Sequence, residues 1–250
     1  IRDGSGEVQR WAGINLDITN LKRTEASLRR ANEELQRFAT VASHDLKAPL
    51  RAVHGLSSWI EEEVAEHLSE EGRQRMRLLR DRVEQMDNLI NAMLDYSRAG
   101  TEVADIEEVN TAELVTQVTE MHGAPEGFTV SIAPDLPRLE TDRLHLQQVF
   151  SHLIGNAIEH HDRPDGNVWI SARDEGDCYE FSVADDGPGV PPEYRDHLFE
   201  VFRGEPAQAT GVGIGLAIVR RVVEGLGGKV RLESAPGLGA TFRFTWPKVI

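Results

Sequence analysis

The chain has 250 residues, a formal net charge of −15, 40% hydrophobic residues and one cysteine, Cys178. Its length and apolar content support one large or two to three small domains, and its acidity disfavours nucleic acid and anionic lipid as general partners. One cysteine rules out an internal disulfide framework and fits a reducing cytoplasm, and no apolar run approaches the roughly 20 residues needed to cross a bilayer.

The sequence begins at Ile1 rather than Met. It is therefore expected to continue upstream, where membrane spans are left open; no signal peptide is visible. A turn, Asp3-Gly4-Ser5-Gly6, precedes a strand-like stretch from Val8 to Leu16. So short a segment reads as the tail of a domain whose body lies elsewhere. From Leu21 the period changes. Leu21, Leu28, Leu35 and Ala42 recur every seven residues, with Ala31 and Phe38 as companions and charges between. That is coiled-coil patterning. The apolar positions continue at Leu46, Leu50, Val53, Ile60 and Val64. After the polar segment 65–72, a second run places Met76, Leu79, Val83, Met86, Ile90 and Met93 at alternating spacings of three and four. Two long helices joined by a short polar turn predict an antiparallel hairpin. One hairpin leaves its apolar seam half covered. Pairing two into a four-helix bundle would cover it, so a homodimer is predicted.

Residues 98–108, RAGTEVADIEE, read as a linker. Beyond them the pattern predicts helices over 111–121, 143–161, 194–202 and 213–227. Strands are predicted over 128–132, 168–173 and 178–185, with two more closing the chain. Strands with helices on one side and short hairpin returns predict an α+β sandwich.

The segment VASHDLKAPL, 41–50, carries the first chemistry. If Ala42 and Leu46 lie on the buried stripe, His44 is about 200° away and faces solvent. Pro49 removes a backbone donor and tends to kink the helix. An exposed neutral imidazole is a competent nucleophile for phosphoryl transfer, and Asp45 is placed to hold its proton. From these two residues alone a solvated His-Asp surface pair is the better reading, and other features must decide. The pair supplies too few ligands for a metal.

Two glycine-rich segments could cradle an anion: ADDGPGV, 184–190, ending a strand, and TGVGIGLAIV, 210–219, opening a helix. Neither is a Walker A loop, and the polar stretch before the second argues against a dinucleotide fold. For the first, a plain turn with glycines at positive φ is the competing reading. Asn156 sits among apolar neighbours on the helix 143–161. It could bond locally or offer an oxygen to Mg²⁺.

Taken together, residues from about 30 to 246 resemble a sensor histidine kinase of two-component signalling. SHDLKAPLR is similar to the phosphoacceptor box, which makes His44 the phosphorylated residue and Asp45 its acidic partner. QQVFSHLIGNAIEHH resembles the family's asparagine box, implying Asn156 as the Mg²⁺ ligand. DDGPG resembles the first glycine box, with Gly187 and Gly189, where Asp185 would accept from the adenine amine. LFEVF is similar to the phenylalanine box, implying that Phe199 and Phe202 pack beneath a nucleotide lid. GVGIGL resembles the second glycine box, with Gly213, Gly215 and Leu216 at the phosphates. GLGATFRFTWP resembles the closing segment, where Thr241 would support the adenine site. Residues 1–20 resemble the C-terminal strands of a PAS sensor domain. The boundaries this implies are 1–20 for that sensor end and 21–42 for a signalling coiled coil. The dimerisation and phosphotransfer hairpin would occupy 30–99, and the ATP-binding domain 105–248.

The resemblance implies a protein-histidine kinase using ATP and Mg²⁺, a dimer, and a response-regulator receiver domain as phosphoryl acceptor. Two departures bear on this. Glu159 stands where the family commonly has Lys, and His160 or His161, with Arg203 at the γ-phosphate, would have to compensate. Ala48 stands where relatives that also dephosphorylate their partner carry Thr or Asn, so little phosphatase activity is expected. A degenerate scaffold without turnover and a gyrase- or chaperone-like ATPase are the alternatives. Glu159 favours the first, and the hairpin with His44 opposes the second.

Overall fold

The computed structural model of the protein describes residues 17–64, 68–98, 105–200 and 213–249. The expected strand over 8–16, Phe202 and Arg203 lie outside the described residues.

The charged heptads form α1, Thr19–Val64, 46 residues without interruption, about 69 Å at 1.5 Å per residue. The helix runs through Pro49. A proline there cannot donate to the Asp45 carbonyl one turn back, so that carbonyl lacks its usual intrahelical donor. The second helix, α2, spans Glu70–Arg98. Ser69 Oγ accepts from Gly72 N–H at 3.1 Å, and Glu70 and Glu71 complement the positive end of the helix. The two helices pack antiparallel. Gln36 Nε2 donates to the Ser97 carbonyl at 3.1 Å, and Arg80 meets Glu61 at 2.6 Å toward the turn.

α1 buries only part of the expected stripe: Leu50 on α1 and Val83 on the second helix are buried as expected, and most of the other members are not. Ala39, Ser43, Leu50 and Ser57 turn inward, opposite Val83 of α2. Leu46, expected to be buried, is 53% exposed, and Ala42 is only half-buried. Leu21, Leu28, Leu35, Phe38, Val53, Ile60, Leu79, Met86 and Met93 are exposed too. Ala39, Ser43 and Ser57 are small, so they let the helices approach around Leu50 and Val83. The large apolar side chains lie one step round the helix, on a face this chain does not cover.

The second module is the expected α+β sandwich. Its helices are α3 (Thr111–His122), α4 (Arg143–Glu159), α5 (Pro192–Arg195) and α6 (Gly215–Gly225). Its strands are β1 (Ile106–Asn110), β2 (Thr129–Ile132), β3 (Arg138–Asp142), β4 (Asn167–Asp174), β5 (Cys178–Asp185), β6 (Val230–Ser234) and β7 (Ala240–Pro247). The main sheet has the order β2-β4-β5-β7-β6; β2 runs parallel to β4 and the other pairs are antiparallel. Its helix-side face buries Ile170, Phe181, Val183, Phe242, Phe244 and Trp246 against Leu146, Phe150, Leu153, Ile218 and Val222. Phe150 meets Phe181 and Phe244 edge-on, each at 5.4 Å between ring centres. The Trp246 indole N–H, buried, donates to Thr141 Oγ at 2.7 Å, so its polar atom is satisfied.

Two expectations are corrected. Part of the linker 98–108 is β1, which pairs antiparallel with β3, a strand the sequence did not announce. Val109 is the only buried residue of β1 and Leu139 the only apolar residue of β3, so neither strand has an alternating apolar pattern in its sequence. The helix expected over 194–202 is the single turn α5. Its continuation closes with three-residue turns, His197 N–H to Tyr194 O and Glu200 N–H to His197 O.

Candidate active site

The first centre is on α1. Ser43 is buried against α2, so its neighbour His44 is turned outward with 82% of its side chain exposed. His44 Nδ1 lies 3.2 Å from Asp45 Oδ1. In the tautomer that donates from Nδ1 to the carboxylate, the Nε2 lone pair is free and faces solvent. The exposure agrees with expectation, but its cause is the inward turn of Ser43 rather than burial of Leu46.

The second centre lies where α4, the end of β5 and the start of α6 converge. The C-terminal half of α4 organises it. His152 and Asn156, one turn apart, share a face. The His152 ring lies directly under Gly215, where a β-carbon would come 3.1 Å from its Nδ1. Beyond the helix end, His161 Nε2 bonds Asp186 at 3.0 Å. Asn156 is half-buried between these two anchors. Gly213 takes φ 68°, in the left-handed region, just before α6 begins. Ile214, which caps α6, makes no side-chain capping bond. The first N–H groups of α6 are thus disposed toward an anion. Leu216 packs against the core, so what it can offer a ligand is its backbone N–H.

Asp185 closes β5 on the helix side of the sheet. Its Oδ1 accepts from Gly187 N–H at 3.0 Å and Ala240 N–H at 3.1 Å. Burial raises its pKa, and those two donors oppose the shift. The loop after it depends on close backbone crossings. A β-carbon on Gly189 would collide with the Ala235 carbonyl, and one on Gly239 with the carbonyl of Asp185 itself. Ser234 Oγ ties the loop down, accepting from Val190 N–H and donating to Gly239 O, both at 2.8 Å. Phe199 packs edge-on to Phe242 at 6.4 Å.

Thr241 is a correction. It alternates with buried Ala240 and Phe242 along β7 and pairs with Ala184, so it faces the side of the sheet away from Asp185. The contact that β7 makes with Asp185 is the Ala240 N–H. His161 is a second correction. Its side chain is 1% exposed and engaged by Asp186, so its ring is not open to a nucleotide. His160 and Glu159 are exposed at the end of α4. Gly239 and Asp186 were missed as individual site residues. The Gly-Leu-Gly at 237–239 was the available signal for the first.

Among the described residues no group of three His, Cys, Asp or Glu side chains could hold a metal. A divalent ion here would rest on the phosphates, water and one carboxamide, a donor set that suits Mg²⁺. No described helix is long and apolar enough to cross a membrane.

A glycine-lined loop region on an α+β sandwich is thus joined to a helical hairpin that carries an outward His-Asp pair. Residues 141–250 match the histidine kinase-, DNA gyrase B- and HSP90-like ATPases, and residues 34–102 match the His Kinase A (phospho-acceptor) domain. The chain belongs to the sensor histidine kinases. It is 33% identical to cyanobacterial phytochrome B of Nostoc sp., over 90% of this chain and 31% of the relative. It is 32% identical to the methanogenesis regulatory histidine kinase FilI of Methanothrix harundinacea, over 86% of this chain and 25% of the relative. Among solved structures it resembles full-length ShkA in complex with AMPPNP, at a TM-score of 0.65 and 31% identity, over 84% of this chain and 45% of that one. It shares the fold of the kinase ThkA, solved with response regulator protein TrrA, at a TM-score of 0.61 and 23% identity, over 94% of this chain and 68% of that one. The chain spans about a third or less of the curated relatives named here.

Proposed function

We propose that this chain is the kinase core of a sensor histidine kinase and that it transfers the γ-phosphoryl group of ATP to His44. The supporting observation is the outward imidazole whose Nδ1 lies against Asp45 Oδ1, on a hairpin joined to a glycine-lined nucleotide fold. The Nε2 lone pair attacks the γ-phosphorus in line, the bond to the β,γ-bridging oxygen breaks, and ADP departs. Asp45 holds the Nδ1 proton as positive charge develops on the ring. Asp185 receives the adenine amine, assisted by Gly187 and Gly189. Gly213, Gly215 and the Leu216 N–H would face the phosphates, and Asn156 would supply a ligand to Mg²⁺, whose charge would offset theirs. His160 and Arg203 are the basic side chains that would compensate where Glu159 replaces the usual lysine.

The phosphoryl group would pass to an aspartate of a response-regulator receiver domain, as the complex of ThkA with TrrA illustrates for that kinase. Ala48 has no polar group to orient a water, so phosphatase activity is small. The exposed apolar face of α1 and α2 is the surface a second copy would cover, making the working form a cytoplasmic homodimer. Domain boundaries of 1–20, 21–42, 30–99 and 105–248, with a PAS-like sensor end first, complete the reading.

The test is incubation with γ-labelled ATP and Mg²⁺, comparing the native chain with His44→Ala. Acid-labile, base-stable label that disappears in the variant is expected. Phosphate release without label would make the protein an ATPase, and neither would make it a scaffold.

A further inference from the structure

Asp185 and Asp186 are adjacent carboxylates with different work. The Gly187 and Ala240 N–H groups both reach one oxygen of Asp185, while Asp186 is surrounded by donors of its own protein. Asp186 Oδ1 accepts from Asn167 N–H at 2.7 Å and from His161 Nε2 at 3.0 Å. Its Oδ2 accepts from Asn167 Nδ2 and from the Arg163 guanidinium, each at 3.0 Å. The same guanidinium reaches the Asp186 carbonyl at 2.8 Å. His161 is itself fixed, edge-on to Phe128 with ring centres 5.2 Å apart. Its side chain also leaves no room for a β-carbon at Gly166 without displacement.

All of these donors belong to one stretch, the connection from α4 to β4. One carboxylate at the head of the glycine loop therefore gathers the whole return of the chain after the helix that carries Asn156. We infer that Asp186, with His161, Arg163 and Asn167, is a positioning residue for the nucleotide: it locks the end of α4 to the loop that presents Asp185. The inference rests on the reading above, in which Asp185 takes the adenine and Asn156 the metal. Charge-assisted bonds from both a ring and a guanidinium set the loop before ligand arrives. Loosening the lock would let Asp185 and Asn156 drift independently. That weakens nucleotide binding without altering the reacting atoms at His44.

The readout is the rate of His44 labelling against ATP concentration in the full chain. In Asp186→Ala, the ATP concentration for half-maximal rate should rise about tenfold while the maximal rate stays within about twofold. Asp186→Asn keeps an oxygen for the Asn167 N–H and should recover to within about threefold of native. Arg163→Ala alters a half-exposed side chain that folding does not require, and should raise the half-maximal concentration by about threefold. It decides the matter if Asp186→Ala does not fold. Asp185→Asn is the control and should abolish binding. If that control binds normally, the adenine reading falls. If it fails to bind while Asp186→Ala and Arg163→Ala saturate like native, the lock is overturned and the site stands. A fall in maximal rate with unchanged half-saturation would overturn it equally.

Discussion

Side chains at the nucleotide site are assigned by surroundings more than by type. Partial burial acts to raise the pKa of Asp186, but its bonds to Asn167 and His161 and the Arg163 charge outweigh it and hold the carboxyl well below the usual range. Its neighbour Asp185 is shifted the other way by burial. A folded pKa below the unfolded one contributes stability above the ordinary carboxylate range, and that stability is lost as pH falls. His152 gives the clearest pH effect. Burial, reinforced by His122, pushes its pKa from 6.5 down to about 4. The unfolded chain gains this proton near 6.5 while the folded one resists until about 4, so stability falls as pH drops through that window. The full effect is about 3 kcal/mol. Urea unfolding at pH 7 and pH 4.5 should show a smaller loss on acidification for His152→Asn than for the native chain. An unchanged loss would place the ring in a wetter setting. At Gly239, φ is 78° and the Asp185 carbonyl occupies the space of a β-carbon. Gly239→Ala should lower stability by roughly 2–3 kcal/mol and abolish nucleotide binding, measured by thermal melting and by titration with ADP.

At the level of elements, α1 divides its two jobs between adjacent faces. One face is small and polar and packs on α2; the other is apolar and uncovered. A charge in the middle of the uncovered face should break association without unfolding the hairpin. Leu46→Lys, 53% exposed in one chain, is expected to shift the protein to monomer in light scattering. It should keep native helicity by circular dichroism, and a persisting dimer would move the interface elsewhere. Pro49 lies inside this helix and deprives the Asp45 carbonyl of its donor. Pro49→Ala should raise hairpin stability by up to about 3 kcal/mol in thermal melting. If bending beside His44 is part of transfer, it should also slow labelling.

Across the whole molecule, the sandwich rests on α2. Leu89, Ala92 and Tyr96 pack against its core, and Arg221 of α6 lies over the Tyr96 ring at 4.6 Å. An open cleft of about 600 Å³ remains beside this contact, lined in part by Tyr96, Phe199, Ala217 and Arg221. The hairpin register sets the height of the contact. Gln36 reaches Ser97 and Glu61 reaches Arg80, so His44 is level with the stretch of α2 between Leu89 and Ser97. The sandwich therefore docks at the height of the phosphoacceptor, but on the neighbouring helix. The contact is small, with a cation–π pair contributing roughly 0.5–2 kcal/mol. Tyr96→Ala should separate the melting of hairpin and sandwich into two calorimetric transitions, leaving the midpoint of the sandwich unchanged. A single transition would mean that the modules are coupled by other contacts.

The linear sequence carried the long helices and the sandwich strands with strong alternation, and it put His44 and Asn156 on helices and Asp185 at a strand end, because periodicity and turn chemistry are local. It also placed β5 to the residue, since Cys178–Asp185 is bounded by turns at both ends. It did not announce β1 and β3, which hold each other through five-residue pairing rather than through any pattern of their own. Which stripe of α1 meets α2 was decided by how closely the backbones can approach, a property of the pair. The direction of Thr241, the burial of His161 and the lock around Asp186 join residues far apart in the chain. Only packing in three dimensions could determine them.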